Sequence, residues 1–159
     1  MNRARRARRQ SGVTMIEMLI VVVIVGLLAA LTYPSIASGL DAIRLRTASD
    51  TTATFLTQAM TRVERSQQPV EMLFQRGSRR LLMASVVMPH RPMEMLLPEG
   101  VTVTHIYPEP PGEPPELVSV VLMPGATFPA LRVELVNPRG QRRLVRIDPL
   151  AGVPVVEVP

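Results

Sequence analysis

Few side chains of this sequence could take part in catalysis. Ser85 and Ser119 could act as nucleophiles, His90 and His105 as bases, and Asp148 as the acid that orients a base. These residues fall in different predicted strands and loops, and their spacing brings no nucleophile, base and acid together. His105 alternates with valines along a predicted strand, which is typical of a packed or surface residue. We therefore predict that the protein is not an enzyme.

The sequence also lacks the residues of a metal site. Cysteine is absent, so neither disulfides nor thiolate ligands are available, and the two histidines are too few for a histidine-built site. The acidic residues do not have the spacing of a calcium-binding loop. No metal and no cofactor is expected.

A cluster of arginines near the C-terminus could bind phosphate. Arg139, Arg142, Arg143 and Arg146 surround a predicted hairpin, and a guanidinium group is well suited to phosphate. A phosphate-contacting patch and an ordinary solvated face are both compatible with this spacing. All 18 basic residues are arginine, and five of them precede residue 10. Residues 13–159 then carry 13 arginines and 13 acidic residues, so net charge does not favour nucleic acid as a partner.

One acidic residue, Glu17, lies inside the most apolar stretch of the chain. It is the only charge in residues 13–33, an apolar run of 21 residues. As a helix this run spans about 31 Å, close to the roughly 30 Å hydrocarbon thickness of a bilayer. A charge within a membrane costs roughly 2.5–3.5 kcal/mol, so a partner is expected to neutralise Glu17. A buried core helix, and an acid tolerated near the membrane interface, are the alternative interpretations.

The chain divides into four predicted segments. Residues 1–12 form an arginine-rich leader, and residues 13–34 form a transmembrane helix. Residues 35–66 continue this helix in amphipathic form, and residues 67–159 form a β-rich head. Because the arginines precede the apolar run, the N-terminus is expected in the cytoplasm and the head on the other side of the membrane.

The helix is expected to kink or end at Pro34 and then to resume. Beyond Pro34, apolar or small residues recur at steps of three and four, which predicts an amphipathic helix to about Ser66, before Pro69. These residues are Ile36, Leu40, Ile43, Thr47, Phe55, Leu56, Ala59, Met60 and Val63.

From Val70 onward the apolar period changes to two, which predicts strands. The predicted strands cover residues 70–74, 80–88, 101–107, 117–123, 131–136, 142–147 and 153–158. Turns are predicted at residues 75–78 and 137–140, and residues 108–116, with five prolines and three glutamates, are predicted to be a loop. The predicted fold class is α+β, with one amphipathic helix packed against antiparallel sheet.

The junction of leader and apolar run carries a recognisable motif. Gly12 followed by Val13-Thr14-Met15-Ile16-Glu17-Met18-Leu19 resembles the signal of type IV pilins and type II secretion pseudopilins. The resemblance implies the pilin-like fold, cleavage after Gly12 by a prepilin peptidase, and N-methylation of Val13, which replaces the usual phenylalanine. It also implies that Glu17 sets the filament register by pairing with the new amine of a neighbouring subunit. Gly26 and Pro34 fall where this family relaxes its helix.

The C-terminal half resembles the GspH/FimT group of this family. The matching segments are residues 97–103, 123–126 and 143–152, although Ala151 replaces the usual threonine. This resemblance implies an H-like minor pseudopilin, a structural subunit of a type II secretion system. It would be a single-pass inner-membrane protein that then enters the periplasmic pseudopilus. Its partners would be the prepilin peptidase, other pseudopilins or pilins, the inner-membrane assembly platform and membrane lipid. The presence of Glu17 argues against the K-like terminal subunit, which lacks it.

Two alternatives remain open. The chain could be a FimT-like minor type IV pilin that binds DNA in natural transformation through the C-terminal arginines. It could also be a soluble periplasmic domain released from an ordinary export signal by cleavage after Ala37. Glu17 and the amphipathic continuation of the helix both argue against the export signal.

Overall fold

The structure is a computed structural model that describes residues 13–87, 92–109, 112, 115–149 and 151–158, apart from the side chains of residues 33–37. The chain divides into two compact units, Met1–Ser38 and Gly39–Pro159. The predicted leader, Gly12 and His90 lie outside the described residues.

A single helix, α1, extends over Met15–Ser66. Thr14 caps its first turn, because its Oγ1 accepts the N–H of Glu17 at 3.3 Å. The helix ends where Gln67 adopts a left-handed backbone conformation with φ of 52°. The end predicted at Ser66 is therefore confirmed. Helical structure continues through Gly26 and Pro34, so the helix does not end at Pro34, and the flexibility expected at these two residues stays a prediction.

In the first unit, the apolar part of α1 exposes its side chains. Every described side chain from Val13 to Thr32 is exposed. Met15–Thr32 is long and apolar enough to cross a membrane, a criterion that an export signal would also meet. Thr32, the last residue of this segment, donates its hydroxyl to the carbonyl of Leu28 at 2.6 Å. Its polar group is thus satisfied within the helix, as an apolar environment requires.

In the second unit, α1 buries one face. That face starts at Leu45 and continues through Ala48, Ser49, Thr52, Phe55, Leu56, Ala59, Met60 and Val63. Leu40 and Ile43, which belong to the predicted stripe, are 49% and 62% exposed. At 3.6 residues per turn, these two residues lie on the opposite face from Leu45 and Val63. The helix of the second unit is thus amphipathic, with its buried face beginning at Leu45 and excluding Leu40 and Ile43.

Among the described residues, eight strands form two four-stranded antiparallel sheets. The first sheet has the order β3-β2-β1-β5 and the second has the order β4-β6-β7-β8. The strands are β1 Val70–Gln75, β2 Arg80–Ser85, β3 Met93–Leu96, β4 Thr102–Tyr107, β5 Leu117–Leu122, β6 Arg132–Val136, β7 Arg142–Asp148 and β8 Val153–Glu157. Seven strands agree with the predicted ones to within a few residues, whereas β3 was not predicted. The predicted α+β class with antiparallel sheet is confirmed.

A bulge in β4 reverses the orientation of its second half. The register with β6 shifts between Val103 and His105. Val103 is buried and so is Ile106, three residues later, instead of His105. The bulge inserts one residue, so His105 and Tyr107 leave the face that strict alternation from Val101 would give them.

The helix and both sheets share one hydrophobic core. Phe55 of α1 and Phe74 of β1 are fully buried, and their rings meet edge to face with centroids 5.9 Å apart. Leu135 of β6 and Val145 of β7 belong to the same buried cluster. The second unit therefore encloses a hydrophobic core, whereas the described side chains from Val13 to Thr32 in the first unit are exposed.

Candidate functional site

The start of α1 combines a helix N-terminus with a carboxylate. Val13 and Thr14 precede the first helical residue, and Glu17 lies in the first turn. Thr14 and Glu17 have the spacing of a capping box, in which a threonine is followed three residues later by a glutamate. The sequence T-x-x-E carries this signal, which the pattern of apolar residues alone did not reveal.

This arrangement favours negative charge at the first turn. Four N–H groups at a helix start lack partners within the helix, and the helix dipole is positive at that end. Glu17 is exposed, and it is surrounded by exposed apolar side chains such as Ile16, Met18 and Ile20. A carboxylate in such surroundings can bind an amine of another chain at low dielectric, where an unpaired charge is costly.

The structure separates the four C-terminal arginines. Arg142 and Arg146 project from one face of β7, which they share with Leu144, whereas Arg143 lies on the other face with the buried Val145. Arg139 lies in the turn between β6 and β7, beside α1. The four arginines thus do not form one patch.

Three of these arginines form ion pairs within the chain. Arg139 Nε lies 2.8 Å from Asp41 Oδ2. Arg142 Nη1 lies 3.1 Å from Glu134 Oε1, and Arg146 Nε lies 2.5 Å from Glu157 Oε1. The pKa of the Arg146 guanidinium is raised, chiefly by its hydrogen bond to Glu157. Partnered guanidinium groups are less available to phosphate than free ones.

One arginine of this face was missed by the sequence interpretation. Arg132 of β6 pairs in register with Arg146 of β7 and with Tyr107 of β4. Together with Glu134, Arg142 and Leu144, Arg132 and Tyr107 line a shallow groove of about 290 Å³. Arg132 is distant in sequence from Arg142 and Arg146, and only the pairing of β6 with β7 places it beside them.

Ser85, Ser119 and His105 lie in three different strands, and each forms a hydrogen bond with a side chain that is not one of the candidate catalytic residues. Ser119 in β5 donates its hydroxyl to the carboxylate of Glu71 in β1. Ser85 in β2 bonds to Gln68 at 3.3 Å. His105 in β4 bonds through Nδ1 to Glu109 Oε1 at 2.8 Å. Among the described residues, no group of three or more His, Cys, Asp or Glu is placed to hold a metal ion.

Each segment that resembles the GspH/FimT group contains a turn of the second unit. Val101 donates its N–H to the carbonyl of Pro98, and Ala126 donates to Met123, each at 3.3 Å. Gly152 donates to Asp148 at 2.8 Å and adopts a φ of 62°. A Cβ on Gly152 would lie 2.9 Å from the ring of Phe128, so both conformation and space favour glycine there.

Comparison with known proteins identifies the N-terminal segment. Residues 7–33 match the prokaryotic N-terminal methylation motif. No curated protein and no solved structure matches the chain. The motif indicates a type IV pilin-like or pseudopilin-like protein, which implies processing by a prepilin peptidase and assembly with other pilins. The fold, an apolar N-terminal helix followed by antiparallel sheets, is consistent with this family. The exposed apolar helix is consistent with a membrane anchor.

Proposed function

We propose that the protein is an H-like minor pseudopilin of a type II secretion system, a structural subunit and not an enzyme. The observation that carries the proposal is the methylation motif on a helix whose apolar segment is entirely exposed. An exposed apolar helix of this length needs a bilayer or the core of a filament to cover it. The resemblance of residues 97–103, 123–126 and 143–152 to the GspH/FimT group supports the assignment within the family.

The second unit also has exposed apolar side chains on α1. Leu40 and Ile43 point away from the core of the second unit and have no apolar cover among the described residues. In a filament built from parallel helices, they would contact a neighbouring subunit by side-chain packing. The proposed filament contact thus includes Leu40 and Ile43 as well as the membrane-spanning segment.

The maturation steps follow from the motif. The prepilin peptidase cuts between Gly12 and Val13 on the cytoplasmic side of the inner membrane, and Val13 becomes N-methylated. The new amine of Val13 pairs with Glu17 of a neighbouring subunit and sets the register. Gly26 and Pro34 let the helix bend as the subunit leaves the bilayer for the filament. The head then lies in the periplasm, and the inner-membrane assembly platform drives incorporation.

DNA binding in the manner of a FimT-like pilin is the weaker alternative. Its candidate residues are Arg139, Arg142, Arg143 and Arg146, of which only Arg143 makes no ion pair with a described residue. Binding phosphate through the other three would require breaking pairs with Asp41, Glu134 and Glu157. These pairs support the structural role over the nucleic-acid role.

The test separates processing from assembly. We expect Glu17→Ala to leave leader cleavage efficient and to reduce incorporation into the filament sharply, because the neighbour's amine then lacks its counter-charge. Glu17→Asp is expected to be intermediate. Thr14→Val is the matched control, since it removes the cap at the same turn and keeps the carboxylate. The measurement compares processed protein in membranes with protein in sheared filaments.

Loss of the gene distinguishes the two assemblies. Deletion is expected to reduce secretion of type II substrates and to leave DNA uptake unchanged, and the wild-type chain is expected to restore secretion. Loss of DNA uptake with normal secretion would assign the chain to a type IV pilus. Normal incorporation of Glu17→Ala would show that the second unit alone recruits the subunit.

A further inference from the structure

The first sheet ends in an edge strand that lacks protection against pairing. Strand β5 has the sequence Leu-Val-Ser-Val-Val-Leu over Leu117–Leu122, without charge or proline. It pairs with β1 over six residues without a register shift. Proteins normally protect such edges with charges, proline, bulges or short strands, because a flat apolar edge is a template for another strand.

The other three edge strands each carry one of these protective features. Strand β3 has four residues and contains Glu94, which pairs with Arg80. Strand β4 is interrupted by its bulge. Strand β8 contains Pro154 and Glu157. Only β5 among the four lacks protection, which indicates that this edge is covered when the protein is assembled.

The backbone groups that β5 leaves free follow from its register. Arg76 donates its N–H to the carbonyl of Glu116 at 2.8 Å, so these two residues form a hydrogen-bonded pair. The next pair along the ladder is Gln75 and Leu117. Hydrogen-bonded and non-hydrogen-bonded pairs alternate along an antiparallel ladder. The N–H and C=O groups of Leu117, Ser119 and Val121 therefore point away from β1, and no backbone hydrogen bond joins them to another described residue.

The free edge of β5 faces a groove of about 560 Å³. The groove is also lined by Tyr107 and Pro108, at the end of β4, and by Pro129 and Leu131. The free edge of β5 is thus part of the lining of an open groove, which could hold an extended polypeptide segment. Among the described residues lining the groove, only Glu109 is charged.

The charge of Glu109 is already neutralised. Its Oε1 accepts Arg76 Nη2 at 2.6 Å and lies 2.8 Å from His105 Nδ1. An occupant of the groove therefore meets apolar walls and unpaired backbone groups, and no free charge. Such a site selects an uncharged, extended polypeptide segment by β-strand addition.

We propose that β5 is completed by an extended, uncharged segment of a neighbouring filament subunit, which adds a fifth strand to the first sheet. This inference rests on the proposed function. The added strand would bond to the backbone of Leu117, Ser119 and Val121 and place apolar side chains in the groove.

The experiment uses the full chain in cells that assemble the filament. A photo-cross-linking amino acid is introduced at Ser119, and at Glu94 on the opposite edge of the same sheet as a control. We expect an adduct with another filament subunit at Ser119, at least tenfold stronger than at Glu94. Mass spectrometry is expected to map it to an uncharged stretch of that subunit.

A backbone variant tests the hydrogen bonds. Val121→Pro removes an N–H that points away from β1 and is expected to lower the adduct at least tenfold, whereas Val121→Thr keeps the N–H and the adduct. If Val121→Pro loses its thermal transition, Val121→Lys replaces it, since a charge on the edge opposes strand addition.

Filament recovery separates this inference from the proposed function. If the chain is recovered in filaments but Ser119 gives no adduct, or one within its own chain, the docking inference is overturned. An equal adduct at Glu94, or one that survives the Val121 variants, overturns it as well. If the chain is absent from filaments, the proposed function fails, and the docking inference fails with it.

Discussion

Arg139 and Asp41 join the β6–β7 hairpin of the second unit to α1, with 2.8 Å between Nε and Oδ2. The pair is separated by 98 residues in sequence. Asn137, in the same turn, donates its side-chain amide to the carbonyl of Asp41 at 3.4 Å. An arginine that the sequence offered as a phosphate ligand thus connects two elements of the fold.

Loss of this pair should destabilise the protein slightly. Arg139→Gln and Asp41→Asn are each expected to cost up to about 1 kcal/mol, because the arginine is partly exposed and water screens the interaction. A double-mutant cycle by chemical denaturation in detergent measures the coupling. Arg132→Gln, at an exposed position in β6, is the control. Coupling near zero would mean that the pair adds no stability.

The other C-terminal arginines should be dispensable for secretion. Replacing Arg142, Arg143 and Arg146 with glutamine is expected to leave secretion at the wild-type level, because Arg142 and Arg146 pair within the chain and Arg143 lies on the other face of β7. Binding of the purified protein to duplex DNA, measured over a range of salt concentrations, is the second readout. Steep salt dependence that these changes abolish would favour the DNA-binding alternative.

Maturation should produce a chain that begins at Val13. We expect intact mass and N-terminal sequencing of the membrane-extracted protein to show a methylated Val13. A bulky replacement at Gly12 should leave the precursor uncut, while the same replacement at Ser11 serves as the control. A chain beginning at Ser38 would instead establish an ordinary export signal.

The turn after β7 should require glycine at position 152. Gly152→Ala adds left-handed strain of about 1–2 kcal/mol and a clash with Phe128 that adds roughly 1–3 kcal/mol. Gly140→Ala is the matched control, because Gly140 has a φ of 75° and open space around it. Thermal unfolding is expected to show a clearly larger loss for Gly152→Ala. Equal losses would show that Phe128 moves aside at little cost.

The hydrogen bonds to Glu109 should stabilise the protein above acidic pH. The pKa of Glu109 lies below its ordinary value of 4.5, because His105 first and Arg76 second bond to its carboxylate. A lowered pKa gives stability that is present above 4.5 and is lost as the pH falls through the lowered value.

Glu109→Gln should therefore lower the melting temperature most near neutral pH, and the difference from wild type should shrink in acid. Glu99→Gln, at an exposed position, is the control and should show no such trend. A difference that stays constant from neutral to strongly acidic pH would contradict the linkage.

The sequence by itself determined the organisation of the N-terminal half. The apolar run with Glu17 and the preceding arginines specify a membrane-compatible helix because hydrophobicity and charge act locally. Most strand positions were also predictable, because a strand with one buried face has an apolar residue at every second position. The helix cap at Thr14 is also encoded locally, by the T-x-x-E sequence, although the spacing of apolar residues does not indicate it.

The tertiary structure decided what depends on contacts between distant residues. The bulge in β4 turned His105 outward, and strand pairing placed Arg132 beside Arg146, neither of which local periodicity encodes. Packing of the second unit buried the face of α1 that begins at Leu45 and left Leu40 and Ile43, on the opposite face, outside the core. Folding also pairs three of the C-terminal arginines with Asp41, Glu134 and Glu157, which makes them less available to phosphate. The physical reason is that burial and charge neutralisation belong to a three-dimensional neighbourhood, which sheet order and strand register create only after folding.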